Sequence, residues 1–245
     1  MSWNMLADAY VRPEFFPYTT PPILEPRARA AARLDRLTHH TASGAADVLC
    51  LQEIEPAFFE AASARLDAFE GRFSQKRGKP DGCAIFVRRS LGDVTFRELV
   101  FRDGTGHVAV AAVVAGIGIA STHLKWQAED VPLEERLGRA ELRELLDAWL
   151  LPGERWIVCG DLNAETSSPV LDVAFSRGLR DAYASLPDAC TANANGRRKR
   201  IDFILHTPEF EAIPTPLPTI TDTTPLPSSE EPSDHLAIRA SLTAR

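Results

Sequence analysis

Apolar segments of strand length alternate with segments of helical periodicity along the whole chain. The predicted strands are rich in Val, Ile, Phe and Cys, as buried strands are, and cover residues 47–52, 82–88, 107–114, 116–122, 155–159, 201–206 and 236–242. The predicted helices cover residues 25–40, 56–68 and 133–150, and the last carries a core stripe at helical spacing: Leu133, Leu137, Leu142, Leu145, Leu146 and Trp149. This alternation predicts an α/β or α+β fold with more than one sheet.

The chain has neither an internal repeat nor a linker that divides it, and 245 residues is a routine size for one domain. We therefore predict a single domain over residues 1–245. The longest apolar run, residues 108–120, is too short to cross a bilayer, and no basic segment followed by an apolar stretch opens the chain. The four cysteines are far apart and form no C-x-x-C pair. These features predict a cytoplasmic protein with no membrane contact, no disulfide framework and no obligate protein partner.

Polar side chains lie at or near the ends of the predicted strands. Because strand ends in an open sheet converge on one crevice, we expect these residues to meet. They are Glu53 after D-V-L-C-L-Q, His123 after G-I-A-S-T, Asp161 and Asn163 in G-D-L-N, Asp202 in R-I-D-F-I, Asp234 and His235 before the last strand, and Asn4 near the start. Two proline-rich stretches, 11–26 and 207–233, could rim the cleft.

Carboxylates, amides and histidines without a glycine-rich loop suit a hard divalent cation. Mg²⁺ prefers oxygen ligands and keeps several waters, so one or two carboxylates are enough to bind it. The remaining acids can orient water or a histidine, while histidine and asparagine bind phosphate oxygens. This set is typical of metal-assisted phosphoester hydrolysis.

At these residues the chain resembles the endonuclease/exonuclease/phosphatase superfamily. The matching motifs occur in the family's order: W-N-M-L (3–6), L-Q-E (51–53), D-G-C-A-I-F (81–86), S-T-H-L (121–124), G-D-L-N (160–163), R-I-D-F-I (200–204) and P-S-D-H (232–235). D-G-C-A-I-F and H-L-K-W (123–126) are most similar to the branch of nocturnin, Angel, the poly(A) deadenylases and 2′,5′-phosphodiesterase, and the loops to compact bacterial members. The resemblance implies a DNase I-like four-layer sandwich, with two packed mixed β-sheets flanked by helices.

The resemblance also implies roles for the polar residues. Glu53 would be the principal ligand of Mg²⁺, or of Mn²⁺, with Asn4 assisting and Asp234 at the metal side. Asp161 would orient or deprotonate the attacking water, and Asn163 would hold the scissile phosphate. His235, oriented by Asp202, would stabilise the transition state, while His123 would contact phosphate from the opposite wall.

Two loops depart from the deadenylase pattern. The loop T-A-N-A-N-G-R-R-K-R (191–200) has no aromatic residue, and no proline follows Trp126. Because stacking contributes about 1–3 kcal/mol per base, this difference argues against poly(A) specificity. Arg197, Arg198, Arg200 and Trp126 are instead the predicted substrate contacts, and a smaller basic set, Arg72, Lys76, Arg77 and Lys79, could form another wall of the groove.

The predicted function is Mg²⁺-dependent hydrolysis of a phosphoester in RNA or a nucleotide. The formal net charge of −7 argues against sequence-independent coating of DNA. Part of this negative charge belongs to the predicted metal site, where a bound divalent cation would offset it. The net charge therefore leaves DNA as a possible substrate. The alternatives are an abasic-site DNA endonuclease, a phosphatase of small phosphoesters, and an inactive binding module on the same fold.

Overall fold

The computed structural model describes residues 1–42, 46–128, 130–132, 135–151 and 153–245. Within these residues the first β-sheet has the order β1-β2-β4-β3, with β1 Ser2–Asn4, β2 Val48–Ile54, β3 Phe69–Gln75 and β4 Gly82–Arg88. The second has the order β5-β6-β7-β8-β12-β9, with β5 Val94–Val100, β6 Val108–Val114, β7 Ile117–His123, β8 Arg155–Asp161, β9 Arg180–Asp181 and β12 Asp202–His206. Each sheet is mixed, since β1 is parallel to β2 and β7 is parallel to β8, whereas the other pairs are antiparallel.

The described residues also form two ribbons and four α-helices. The ribbons pair β10 (Ala192–Ala194) with β11 (Arg197–Lys199) and β13 (Phe210–Pro214) with β14 (Ala240–Ala244). The helices are α1 Pro26–Thr41, α2 Pro56–Arg65, α3 Leu137–Trp149 and α4 Pro169–Phe175. None of the helices in the described residues is long and apolar enough to cross a membrane.

The apolar side chains form three large cores, one between each pair of layers. The inner faces of the two sheets meet in the central core, for example Ile85 against Val110 and Ile204. The outer face of the first sheet packs against α1 and α2 through Trp3, Leu37, Leu49, Phe58 and Phe86. The outer face of the second packs against α3 and α4 through Ala109, Leu142, Leu145, Trp156 and Leu171. The predicted four-layer sandwich of two mixed sheets flanked by helices is therefore confirmed.

Most predicted elements lie within a few residues of their observed bounds. The turn at Ala115 and Gly116 is present, with both residues at positive φ. The predicted strand 236–242 is wrong in its bounds: regular pairing covers only Ala240–Ala244, and Ile238 makes an isolated bridge to Ser2. The predicted helix 133–150 is observed as α3, while Leu133 of its stripe lies outside the described residues. The predicted strands omit β3 and β5, because charged residues interrupt both of these half-exposed edge strands.

Candidate active site

Three polar side chains form a row across the ends of neighbouring strands in the second sheet. In the register of β7 with β8, His123 is opposite Asp161, and in that of β8 with β12, Asp161 is opposite Asp202. Residues opposite each other on adjacent strands are neighbours on one face of a sheet. Strand register therefore brings these three predicted residues together.

The segment before Ile238 carries His235 into the same place. Trp3 Nε1 donates a hydrogen bond to His235 O (2.9 Å), and the Ser233 hydroxyl donates to Asn4 O (2.7 Å). His235 also bridges to Ala192 of β10. The segment is thus fixed between the first strand and the β10–β11 hairpin.

His235 is buried among carboxylates. Its Nδ1 lies 2.8 Å from Asp202 Oδ2, and its Nε2 lies 3.7 Å from Asp161 Oδ2 and 4.0 Å from Asp234 Oδ1. Burial opposes the positive charge, but the three carboxylates raise the pKa of His235 well above its ordinary value. The raised pKa favours the protonated imidazole, whose Nδ1 is held by Asp202, and its role in the reaction stays a prediction.

A β-bulge turns Glu53 into this pocket. The pairing of β2 with β4 shifts register between Gln52 and Ile54, and Glu53 has a φ of 54°. A non-glycine residue in the left-handed region is uncommon and is found at functional sites. The Glu53 carboxylate accepts hydrogen bonds from Asn4 Nδ2 (3.1 Å) and from the backbone N–H of Ala7 (2.9 Å).

Asn4 connects the two sheets at the site. Its Nδ2 also donates to Asp161 Oδ2 at 2.9 Å, so one amide contacts both Glu53 and Asp161. Its Oδ1 accepts the backbone N–H of Leu6 (3.0 Å). Asn4 is therefore hydrogen-bonded to two other predicted site residues, and its role at a metal ion stays a prediction.

Asn163 stands beside His123 on the opposite wall. It has a φ of 49°, and its backbone N–H donates to Asp161 Oδ1 at 2.9 Å. Its Nδ2 donates to Leu124 O and lies 2.9 Å from His123 Nε2. Burial, together with nearby cations, lowers the pKa of His123 well below its ordinary value, so this ring is neutral.

Lys76 completes this wall and was predicted only as one member of a basic set. Its Nζ lies 3.1 Å from His123 Nδ1 and 2.6 Å from Asp81 Oδ2, and the residue is 3% exposed. The Tyr10 hydroxyl donates to the other Asp81 oxygen (2.7 Å). Asp81 opens the motif D-G-C-A-I-F, so this motif positions the lysine rather than contributing a catalytic group of its own.

The carboxylates of the pocket are buried and crowded around the imidazole of His235, which offsets only part of their charge. Burial raises the pKa of Glu53 and of Asp234, and it raises the pKa of Asp161 to about 7 although His235 opposes the shift. The buried Asp202 Oδ1 has no hydrogen-bond partner among the described residues. Buried, crowded carboxylate oxygens of this kind fit a divalent metal ion.

Two parts of the pocket could hold such an ion. Glu53, Asn4 and Asp234 are the predicted ligands on one side. On the other, one ligand atom from each of Asp161, Asp202 and His235 lies within 4.8 Å of the other two. His235 already contacts Asp202 through Nδ1, which favours the Glu53 side as the primary position.

Two buried arginines outside the predicted site residues support the segment beside the metal side. Arg29 and Arg33 are each 1% exposed on α1, and both bond to Asp8 and to the carbonyl of Leu6. Arg29 also donates to Pro232 O at 2.9 Å. They hold the segment after β1 next to Glu53. Their i, i+4 spacing on the inward face of α1 is a signal that could have identified them.

None of the four predicted substrate contacts bonds to a reacting group in the described residues, although the β10–β11 hairpin that carries two of them lies beside His235. The hairpin is fixed beside His235, since Asn193 N donates to Asp234 O at 2.9 Å and Leu236 N donates to Thr191 O at 2.7 Å. Arg197 and Arg198 are exposed on β11, whereas Arg200 is buried, paired with Asp181 and placed over the rings of Tyr183 and Phe203. Trp126 is 62% exposed, three residues beyond His123. Their contact with substrate stays a prediction. Of the four, Arg200 is the least available to substrate, because it is already paired with Asp181.

Comparison with known proteins adds a family model and several relatives. The model of the Endonuclease/Exonuclease/phosphatase family matches residues 1–235. Mouse 2′,5′-phosphodiesterase 12 is 27% identical over 99% of this chain and 51% of its own, so the chain spans about half the length of such curated relatives. The structure of ANGEL2, a 2′,3′-cyclic phosphatase, in complex with adenosine-2′,3′-vanadate aligns with a TM-score of 0.83, at 19% identity, over 98% of this chain and 94% of that one. The structure of the human Nocturnin catalytic domain with bound sulfate aligns with a TM-score of 0.75, at 24% identity, over 99% of this chain and 92% of that one.

Proposed function

The chain belongs to the Endonuclease/Exonuclease/phosphatase family, and on that premise we propose that it hydrolyses phosphodiester bonds of RNA or of a nucleotide with the help of a divalent metal ion. The resemblance to the branch of nocturnin, Angel and 2′,5′-phosphodiesterase is confirmed by the relatives it matches. One observation carries the proposal: His235 is held by Asp202 at 2.8 Å and faces Asp161 at 3.7 Å, beside the buried Glu53.

In this proposal His235 binds a non-bridging oxygen of the reacting phosphate. The imidazole is cationic and its orientation is fixed by Asp202, so it can stabilise the charge that develops on this oxygen without reorganising. Lys76 and the neutral His123 contact the phosphate from the other wall, together with Asn163. The phosphate would then lie between two walls that the strand ends hold rigidly.

Asp161 is placed to act on the attacking water. A pKa of about 7 suits a group that accepts a proton near neutral pH. Its two oxygens are oriented by Asn4 and by the backbone of Asn163. Asp161 therefore orients the water and takes its proton.

Glu53, Asn4 and Asp234 would hold the metal ion, Mg²⁺ or Mn²⁺, which when bound polarises a phosphoryl oxygen and makes a water more acidic. Glu53 and Asp234 support this assignment because they offer carboxylate oxygens, which Mg²⁺ and Mn²⁺ prefer. Asn4 would assist through its amide Nδ2, which donates to the Glu53 carboxylate, since its Oδ1 accepts the backbone N–H of Leu6. The buried negative charge of this set is the property that a divalent cation would offset.

Replacing Asp202 by asparagine tests the role of the His235–Asp202 pair. Loss of the carboxylate lowers the His235 pKa, so the imidazole loses its proton at a lower pH than in the wild type. We expect the alkaline limit of kcat to move to lower pH, with a smaller effect near pH 5–6, where the ring keeps its proton. A pH–rate profile measures this shift. A uniform loss at every pH would assign Asp202 a merely structural role.

The exposed arginines of the hairpin support an extended anionic substrate. We expect the double variant Arg197→Ser/Arg198→Ser to flatten the salt dependence of single-stranded RNA binding, by about 0.7 in slope per lost phosphate contact. Arg65→Ser/Arg89→Ser removes the same charge from the end of the sheets away from the site and should leave the slope unchanged. Fluorescence anisotropy over a salt series measures both. Equal slopes for the two double variants would contradict the predicted contacts.

A panel of substrates tests the proposed function and separates it from its alternatives. Purified protein with Mg²⁺ or Mn²⁺ is incubated with single-stranded RNA, single-stranded DNA, abasic duplex DNA, a 2′,5′-linked oligonucleotide and NADP(H). We expect cleavage of RNA, of the 2′,5′-linked oligonucleotide or of the nucleotide to exceed that of abasic DNA. Preferential nicking at the abasic site would favour a repair endonuclease. Binding without cleavage of any substrate would favour the inactive module.

A further inference from the structure

A buried carboxylate–imidazole pair supports a lysine next to the candidate active site. Glu141 on α3 is 1% exposed, and its Oε1 lies 3.2 Å from Nδ1 of the buried His107. His107 Nε2 lies 3.1 Å from Lys79 Nζ. The proposed reaction uses none of these three residues.

The chemistry of the contacts sets the direction of the hydrogen bonds. An ammonium group only donates, so His107 Nε2 accepts from Lys79 and the ring proton lies on Nδ1. This Nδ1 lies 3.2 Å from Glu141 Oε1, an electrostatic contact without hydrogen-bond geometry. Glu141 is itself held in place: its Oε2 accepts the backbone N–H of Lys125 (2.6 Å), and its Oε1 accepts the Thr105 hydroxyl (3.0 Å). The buried scaffold therefore fixes the position of the Lys79 ammonium group, which keeps two further N–H groups for another acceptor.

This lysine borders the wall that is proposed to hold the reacting phosphate. The rings of His107 and His123 lie 6.2 Å apart, and each has an ammonium group at 3.1 Å, Lys79 on the first and Lys76 on the second. The backbone N–H of Lys79 also bonds to Lys76 O. Two cations on one short loop thus stand side by side at neighbouring histidines.

The positive charge at this corner is concentrated and only partly paired, since Lys76 forms an ion pair with Asp81. Among the described residues, neither Lys79 nor Lys125 has a carboxylate within ion-pair distance. Burial and the ammonium groups of Lys76 and Lys125 lower the pKa of Lys79. Lysine is rare in this chain, with four among 27 basic residues, and three of the four meet here. A bound anion would relieve the repulsion between them.

We propose that Lys79, positioned by the buried His107–Glu141 pair, binds a second phosphate of the substrate, next to the phosphate that is hydrolysed. The inference rests on the proposed function, because it takes the wall of His123 and Lys76 as the position of the reacting group. It narrows the substrate to a polyanion with at least two neighbouring phosphates. Lys79 is the binding residue, and His107 and Glu141 are positioning residues.

Binding of inorganic anions tests the subsite without any turnover. In metal-free buffer, calorimetry should show that the wild type binds inorganic pyrophosphate about tenfold or more tightly than inorganic phosphate, as one added charge-assisted contact allows. In Lys79→Ala this ratio should fall towards one. Arg65→Ala removes one exposed positive charge far from the site and should keep the wild-type ratio.

The positioning role is tested by two substitutions of His107. His107→Gln keeps one donor and one acceptor, so it should retain most of the pyrophosphate preference, whereas His107→Leu should lose it. Thermal unfolding of both variants checks that they are folded. A merely structural role of His107 would leave the ratio unchanged in the folded leucine variant, and that result would overturn the assignment.

Kinetics distinguish this inference from the proposed function. The substrates are a dinucleoside monophosphate and the same dinucleotide with a second phosphate at its 5′ or 3′ end. Lys79→Ala should raise KM about tenfold for one of the two-phosphate forms and leave its kcat little changed. KM and kcat for the one-phosphate substrate should also change little. An equal loss on all substrates, or a pyrophosphate preference that survives Lys79→Ala, would overturn the inference. An inactive wild type that still shows the Lys79-dependent preference would overturn the proposed function alone.

Discussion

Asp161→Ala and His235→Ala should each reduce phosphodiester hydrolysis by about 10²–10⁴-fold or more, because each removes a positioned acid or base. Asp161→Ala removes the carboxylate that orients the attacking water and that is itself held by Asn4 and Asn163. His235→Ala removes the cation that faces the reacting phosphate. The two effects should not add, because the residues face one another at 3.7 Å and act on the same phosphate.

Neither substitution should unfold the protein. Asp161 is a buried carboxylate with a raised pKa, so its removal also relieves charge repulsion in the metal-free pocket. Asp172→Ala and His39→Ala make the same chemical changes at exposed positions on α4 and α1, and both should keep wild-type activity. Initial rates and thermal unfolding, measured on all four variants, separate chemistry from folding. Near-normal hydrolysis by folded Asp161→Ala or His235→Ala would contradict the assignment.

Glu53→Gln should remove the response of the protein to divalent metal and reduce hydrolysis by about 10²–10⁴-fold, since the ion would lose its principal ligand. A ligand that binds only the folded state stabilises it by about 2.7 kcal/mol at 100 times its Kd. The wild type should therefore melt at a higher temperature in Mg²⁺ or Mn²⁺ than in EDTA. In Glu53→Gln this difference should disappear.

Without metal, Glu53→Gln should be at least as stable as the wild type. Burial raises the pKa of Glu53, so its ionised form is destabilising at neutral pH, and the neutral amide should melt at or above the wild-type temperature in EDTA. Glu60→Gln makes the same change at an exposed position of α2 and should behave as the wild type. A full metal-induced shift in Glu53→Gln would place the ion elsewhere, and the group of Asp161, Asp202 and His235 is then the alternative position.

The residues that strand register brings together were the ones accessible from the sequence. His123, Asp161 and Asp202 each stand at the end of an apolar run, and neighbouring strands align such ends in space. His235 could be added because its motif precedes the last strand. Their exact contacts, such as Asn4 bridging Glu53 and Asp161, depend on the packing of one sheet on the other.

Other features could not be predicted because tertiary structure creates them. The bulge that turns Glu53 inward is visible only in the pairing of β2 with β4. Lys76 lies in a basic segment whose composition suits an exposed surface. It is nevertheless buried, because its ammonium group bonds to Asp81, which also accepts a hydrogen bond from Tyr10. Arg200 shows the converse, since a predicted substrate contact is buried against Asp181.

Hydrolysis of a chromogenic phosphodiester, bis(p-nitrophenyl) phosphate, tests the central claim most directly. The wild type is stripped with EDTA and assayed before and after Mg²⁺ or Mn²⁺ is restored, with Asp161→Ala as the parallel sample. We predict that the metal restores release of p-nitrophenol by the wild type and that Asp161→Ala stays inactive with either metal. Equal release in EDTA and in metal, or equal release by the two proteins, would contradict a metal-dependent phosphodiesterase centred on Asp161.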